Sequence, residues 1–273
     1  MGSSMRLSSK FGLLALAALA FAAACKSKPE PILPKTVPIG PKPTFAPPWR
    51  PPENWATMEL ADFEELVLSN LPEDRVTPLP EETLKELAHA LDEMDETSVR
   101  AAVILGRSAT DKAGEVLLAR LQRRVLGPER NSDAGDVVAA AALGRFPRPE
   151  RNWRIVRLVD GSHPHPDLEV RVECACTALA AGFDRVVPFL QKVVRIGTWI
   201  GEQDERDFAV SDTSAWVRSR AAEALSARAG VPVTYRADAP IADREREILA
   251  LEALLQPILA KTAADTARAL EKR

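Results

Sequence analysis

The chain has 273 residues, 46% of them hydrophobic and 27% charged, with a formal net charge of -3. This is globular composition, which excludes a collagen-like or wholly disordered chain, and the near balance of charge excludes the basic footprint of a nucleic-acid binder. Three cysteines cannot build a disulfide framework. Only 5% of residues are aromatic and alanine is frequent, a pattern that favours closely packed helices over sheets.

Arg6 and Lys10 precede an uninterrupted apolar run of 14 residues, 11–24. The run is too short to span a bilayer and suits the core of an export signal. It ends in Ala22, Ala23 and Ala24, followed by Cys25. Phe21-Ala22-Ala23-Ala24-Cys25 resembles a bacterial lipoprotein lipobox, with Ala22 where leucine is usual. The resemblance implies a signal peptide over 1–24, cleavage before Cys25, thioether lipidation of that cysteine and N-acylation by a palmitate-type chain. The other reading is an ordinary secretory signal cut after the alanines. Lys26 stands where an inner-membrane retention signal has Asp. In a Gram-negative envelope this implies an outer-membrane anchor and a periplasm-facing protein.

Residues 26–52 hold ten of the 22 prolines. Proline at this density blocks helix and ladder pairing and favours polyproline II, so 25–54 is expected to be a tether. Extended, it would reach roughly 80 Å. A docking ligand for a proline-recognising partner is the rival reading. Phe45, Trp49 and Trp55 are expected where the tether packs onto the domain.

From Trp55 the periodicity is helical. Met58, Leu60, Phe63, Leu66 and Val67 form one apolar stripe, ended by Leu71-Pro72. Pro80 opens a second helix lined by Leu84, Leu87, Leu91 and Met94. Residues 55–96 read as N-terminal capping helices.

Then the chain repeats itself. The nine residues starting at Val99 match those starting at Val137 in six positions, an offset of 38. A core of Ala, Ala or Cys, two free positions and Leu starts at 101, 139, 175 and 221, intervals of 38, 36 and 46. Periods of this size indicate stacked helix pairs, the small side chains allowing close approach. After the first three Ala-rich helices comes a second apolar segment, with Val116 to Val125, Trp153 to Val159 and Val186 to Ile196 as their stripes. Asp184 is a plausible cap for the third. The run Val217-Arg218-Ser219-Arg220-Ala221-Ala222-Glu223-Ala224-Leu225 resembles the bacterial HEAT-type repeat of the PBS-lyase kind. Val99-Arg100 and Val170-Arg171 match it more loosely, and Val138 stands where the second unit would have Arg. The resemblance implies an all-α fold, a short α-α solenoid over 97–235. Ile241 to Leu255 is a further amphipathic segment, Pro257 is expected to break it, and 236–273 caps the array.

No hydrolase, zincin, phosphate-loop or dinucleotide motif is present, so no catalytic residue and no cofactor is assigned. His89 reads as a surface residue. His163, His165, Cys174 and Cys176 could in principle hold a metal, but Cys174 and Cys176 are two apart on a helix and point to different sides, so they read as small packing residues. Charge is uneven: 59–96 carries 13 acidic and two basic side chains, 97–157 carries 12 basic and six acidic. Arg151, Arg154 and Arg157 recur every third residue, a candidate strip for an acidic protein or anionic polymer. The bland alternative is arginines balanced by neighbouring acidic helices. Residues 197–214 form an acidic insertion with Trp199 and Phe208, a second candidate contact. The expectation is a membrane-anchored noncatalytic adaptor with an envelope protein or polymer as partner and no small-molecule substrate. The alternative is an enzyme or accessory subunit using 197–214 or the His/Cys group.

Overall fold

The structure, a computed structural model, describes residues 44–93, 95–126, 133–145, 149–196 and 208–271, with the side chains at 126, 149–150, 208–214, 262 and 265–271 excepted. The segment expected to be an export signal, Cys25 and the expected tether as far as residue 43 lie outside the described residues. What is described is all-α, with ten helices: α1 (Leu60–Asn70), α2 (Glu81–Ala90), α3 (Glu96–Ser108), α4 (Asp111–Leu126), α5 (Ala134–Ala142), α6 (Pro149–Asp160), α7 (Leu168–Ala180), α8 (Val187–Val194), α9 (Phe208–Ala229) and α10 (Ile241–Glu271). Two two-residue strands, β1 (Thr44–Phe45) and β2 (Arg75–Val76), pair in parallel. No described helix is long and apolar enough to cross a membrane.

The four Ala-rich segments lie in α3, α5, α7 and α9. These pack in succession, α3 on α5, α5 on α7 and α7 on α9. Their repeated positions are the core: Ala101, Ala102 and Leu105, then Ala139, Ala140 and Leu143, then Ala175, Cys176 and Leu179, then Ala221, Ala222 and Leu225 are all buried. Small residues matter because the backbones are close. A Cβ on Gly106 of α3 would stand 2.6 Å from the Cβ of Ala142 in α5. Helices α4, α6, α8 and α10 each pack against a member of this row.

Local chemistry sets the boundaries. Asp95, Asp133 and Asp167 each accept a backbone N–H of the first turn of α3, α5 and α7, satisfying donors that have no intrahelical partner. Asp133 and Asp136 form a reciprocal capping box.

The repeated Val-Arg arginine has one structural job. Arg100 donates to the carbonyls of Trp55 and Met58 (3.1 and 2.7 Å), Arg171 to that of Val159 (2.9 Å) and Arg218 to that of Ile196 (3.0 Å). In the last two cases the acceptor lies at or just beyond the C-terminal end of the preceding helix, where carbonyls lack intrahelical donors. The second unit has Val138 at this position and reverses the polarity. Its buried Asp136 takes Arg120 Nε at 2.9 Å, and Arg124 Nε lies 3.5 Å away, both arginines coming from the preceding α4. Burial opposes the charge on Arg120, but the field and hydrogen bond of Asp136 outweigh it and hold the guanidinium above its ordinary value. Between α7 and α9 the tie is a bidentate pair, Arg220 to the buried Glu173 at 2.7 and 3.1 Å.

Several expected details change. Residues 44–54 are docked: Ala46 N–H donates to Val76 O, Trp49 N–H to Pro78 O, and Arg50 pairs with Glu86 at 2.9 Å. Trp55 is buried and Trp49 packs on the core, but Phe45 stays 67% exposed. Asp184 does not cap α8. It opens a 3-10 turn (Asp184–Val186), and Arg228 takes its carboxylate at 2.8 Å. Helix α9 begins at Phe208, so the last seven residues of the expected insertion are helical. Helix α10 runs on through Pro257. The carbonyl of Ala253, four residues back, loses its donor, but Ala253 is exposed and water can serve it.

Candidate functional site

Helix α6 starts on Pro149, whose missing N–H costs nothing in a first turn. Asn152, Ile155, Val156 and Val159 form its buried stripe. Arg151, Arg154 and Arg157 do not share one face. Three residues turn a helix by about 300°, so each step falls back about 60° and the first and third point about 120° apart. Arg151 is therefore 3% exposed, its Nε 3.2 Å from Glu115 of α4 and its Nη2 on the carbonyl of Asp111. Arg154 is partly covered and bonds Glu115 at 2.6 Å and Gln122 at 2.9 Å. Burial works against the charge on Glu115, but the hydrogen bonds from Arg154 and Arg151 prevail and hold its carboxyl below the usual range. Two of the three arginines thus staple α6 to α4, and Arg157 alone is exposed.

One turn before Arg157, on the same side, stands Trp153, 53% exposed. Its ring meets that of Phe183 edge-on, centroids 5.8 Å apart at 86°. Phe183 is placed by the end of α7. Gly182 takes the left-handed conformation (φ 86°), its N–H bonds Leu179 O, and the N–H of Phe183 bonds Ala178 O, a Schellman closure that turns the chain sharply. The sequence pattern places Trp153 in the apolar stripe of its segment, whereas the fold leaves it exposed. The spacing held the contrary signal: 153 and 157 are four apart and fall between the buried positions 152, 155, 156 and 159. Trp199 and the side chain of Phe208 lie outside the described residues.

The His/Cys group does not assemble. His163 contacts Ser162 at the surface, whereas His165 is buried, its Nδ1 accepting the N–H of Asp167 at 3.2 Å. Burial holds the imidazole below its ordinary value, against the pull of Asp136 and Asp167. Cys174 and Cys176 are buried in α7, and burial pushes both thiols up, away from the reactive thiolate. His89 is exposed. Among the described residues no group of three or more His, Cys, Asp or Glu is disposed to hold a metal.

Neither a protein-family model, nor a characterised protein, nor a solved structure matches the chain. The chemistry of the α6 face must therefore stand by itself. An indole, a phenyl edge and a guanidinium offer stacking, apolar contact and forked hydrogen bonding to a carboxylate. Tryptophan and arginine are the residue types that most often dominate binding energy at protein surfaces.

Proposed function

We propose that this protein is a lipid-anchored, noncatalytic adaptor of the bacterial envelope. In this reading Cys25 carries the acyl chains, residues 26–43 hold the domain off the membrane, and the domain is a short HEAT-like solenoid. Support for the solenoid comes from the succession α3, α5, α7, α9 at repeat intervals of 38, 36 and 46 residues, and from the arginine-to-carbonyl ties that recur between units. Such arrays present extended surfaces for partners. The observation that carries the binding role is the exposed Trp153 beside Phe183 and Arg157. The partner it fits is an acidic protein segment with an apolar anchor.

The test is crosslinking in intact cells followed by mass spectrometry, with the wild type, Cys25→Ala and the double variant Trp153→Ser/Arg157→Glu. The wild type should be found in the membrane fraction, carry a fatty-acid label and capture a specific partner. Cys25→Ala should lose label and membrane association. The double variant should stay folded and anchored but lose the partner, while replacement of His163, His165, Cys174 and Cys176 should leave capture intact. Unchanged capture by the double variant would overturn the reading of α6, and a wild type without acyl chains would overturn the anchor.

A further inference from the structure

Helix α10 buries one face, with Arg244, Ile248, Leu251 and Leu255 covered. The last three line a seam with Val194 of α8 and Leu225 of α9. The opposite face is apolar as well. Leu249 and Leu254 are 57% and 50% exposed, and Ala250, Ala253, Pro257 and Ala260 are exposed with them. Ala253 stands about 200° round the helix from Leu251, so this is a second stripe and not the edge of the first. The closing helix of a repeat array needs a polar outer face to stay soluble on its own. From Leu249 to Ala260, about three turns, α10 has none.

The helix also outruns its support. Among the described residues, Ile258 and Leu259 are the last of α10 to pack on the core. Lys261, Ala263 and Ala264 are exposed, yet the helix continues to Glu271. A dozen residues of helix without tertiary contacts are marginal in water.

Charge selects what covers this face. Residues 241–252 carry four acids and two arginines, of which Arg244 is buried, while 261–273 carry four bases and two acids. Two such helices laid antiparallel set the acidic half of each along the basic end of the other; laid parallel, like lies on like. A lipid surface fits less well, because helices that lie on membranes carry Lys and Arg along the polar face, whereas Asp243, Glu245 and Glu247 flank this stripe.

We propose that α10 pairs antiparallel with α10 of a second copy about a two-fold axis at Ala253. The small Ala253 lets the helices approach. Leu249 then packs on the partner's Pro257 and Ala250 on the partner's Leu254, and Asp243 and Glu245 come alongside the partner's Lys261. Asp243 now holds only the exposed Arg246, at 2.8 Å, a contact worth little in water. Pro257 leaves the carbonyl of Ala253 without its helical donor, and the amide of the partner's Gln256 is within reach of it. The surface lies on another helix than the α6 face and does not rest on the adaptor reading.

The test is sedimentation velocity of the full-length chain over a wide concentration range, which should show a monomer–dimer equilibrium. Leu249→Gln/Leu254→Gln, both at exposed positions, should weaken the dimer at least tenfold with helix content and Tm unchanged. Oxidative trapping decides the geometry, with the wild type and its own three cysteines as background. Ala253→Cys should crosslink to itself across the axis, and Ala260→Cys, which faces the partner's Arg246, should not. A monomer at every concentration would overturn the proposal, and its capture by phosphatidylcholine vesicles would give the face to lipid instead. So would a dimer indifferent to the leucine changes, or crosslinking through position 260 and not 253.

Discussion

Replacing Gly106 with alanine tests how closely the Ala-rich helices approach. In an open helix the change is favourable by up to about 1 kcal/mol, because alanine has the higher helix propensity. Here the new methyl would stand 2.6 Å from the Cβ of Ala142. Carbon atoms in good contact are about 3.5–4.0 Å apart, so the two helices must separate by about 1 Å. The obstacle is a Cβ fixed to the backbone of α5, not the mobile end of a long side chain. Overpacking of this kind costs about 1–3 kcal/mol, which outweighs the propensity gain and leaves a net loss of about 1–2 kcal/mol. For a chain of this size that lowers Tm by about 3–6 °C. The repeat supplies its own control. Gly144 occupies the corresponding place in the next unit, and a Cβ there would have only Thr177 Oγ1 for a neighbour, at 3.4 Å. Urea unfolding and scanning calorimetry of Gly106→Ala and Gly144→Ala should show a loss for the first and little change for the second. A Gly106→Ala variant as stable as the wild type, or equal losses in both, would refute the close approach of α3 and α5.

Glu173→Gln should destabilise the domain by about 2 kcal/mol in urea unfolding, because an amide accepts only one of the two bonds that Arg220 makes to Glu173, while the bond of Arg220 to Glu223 is kept. His165 is held neutral by burial, its folded-state value lying below the unfolded one of about 6.5. As the pH falls below that value the unfolded chain takes up a proton that the folded chain refuses, so stability should drop towards acid, by at most about 1.4 kcal/mol per pH unit. His165→Gln should flatten that slope, which denaturation midpoints between pH 7 and 5 would reveal. Cys174 and Cys176 should resist thiol reagents in the native domain and react on unfolding; rapid native labelling of either would show that α7 is not packed as described.

The repeat unit is visible in the sequence because its buried positions are a short alphabet of Ala, Cys and Leu at fixed intervals. Residues such as Ala101, Ala139, Ala175 and Ala221 announce a core without any knowledge of what they touch. The arginines behave differently. Arg151, Arg154 and Arg157 look alike in sequence, yet the 60° lag at each step points the first inward and the last outward. Their fates also depend on Glu115 and Asp111, which lie on another helix. Trp153 is a large apolar residue outside the core, and only its register with Arg157, four residues on, marks it as exposed. The replacement of a Val-Arg tie by Asp136 with Arg120 and Arg124 could not be read at all, since it joins residues 12 to 16 apart whose approach exists only in the folded chain.

The adaptor role is tested most directly by placing a photo-crosslinking amino acid at position 153 in living cells, with position 68 as the control, since Leu68 is also well exposed, at 58%. A discrete adduct of constant mass from position 153, absent from position 68 and lost when Arg157 is changed to Glu, is the expected result. No adduct from 153, or the same diffuse adducts from both positions, would contradict a binding role for this face.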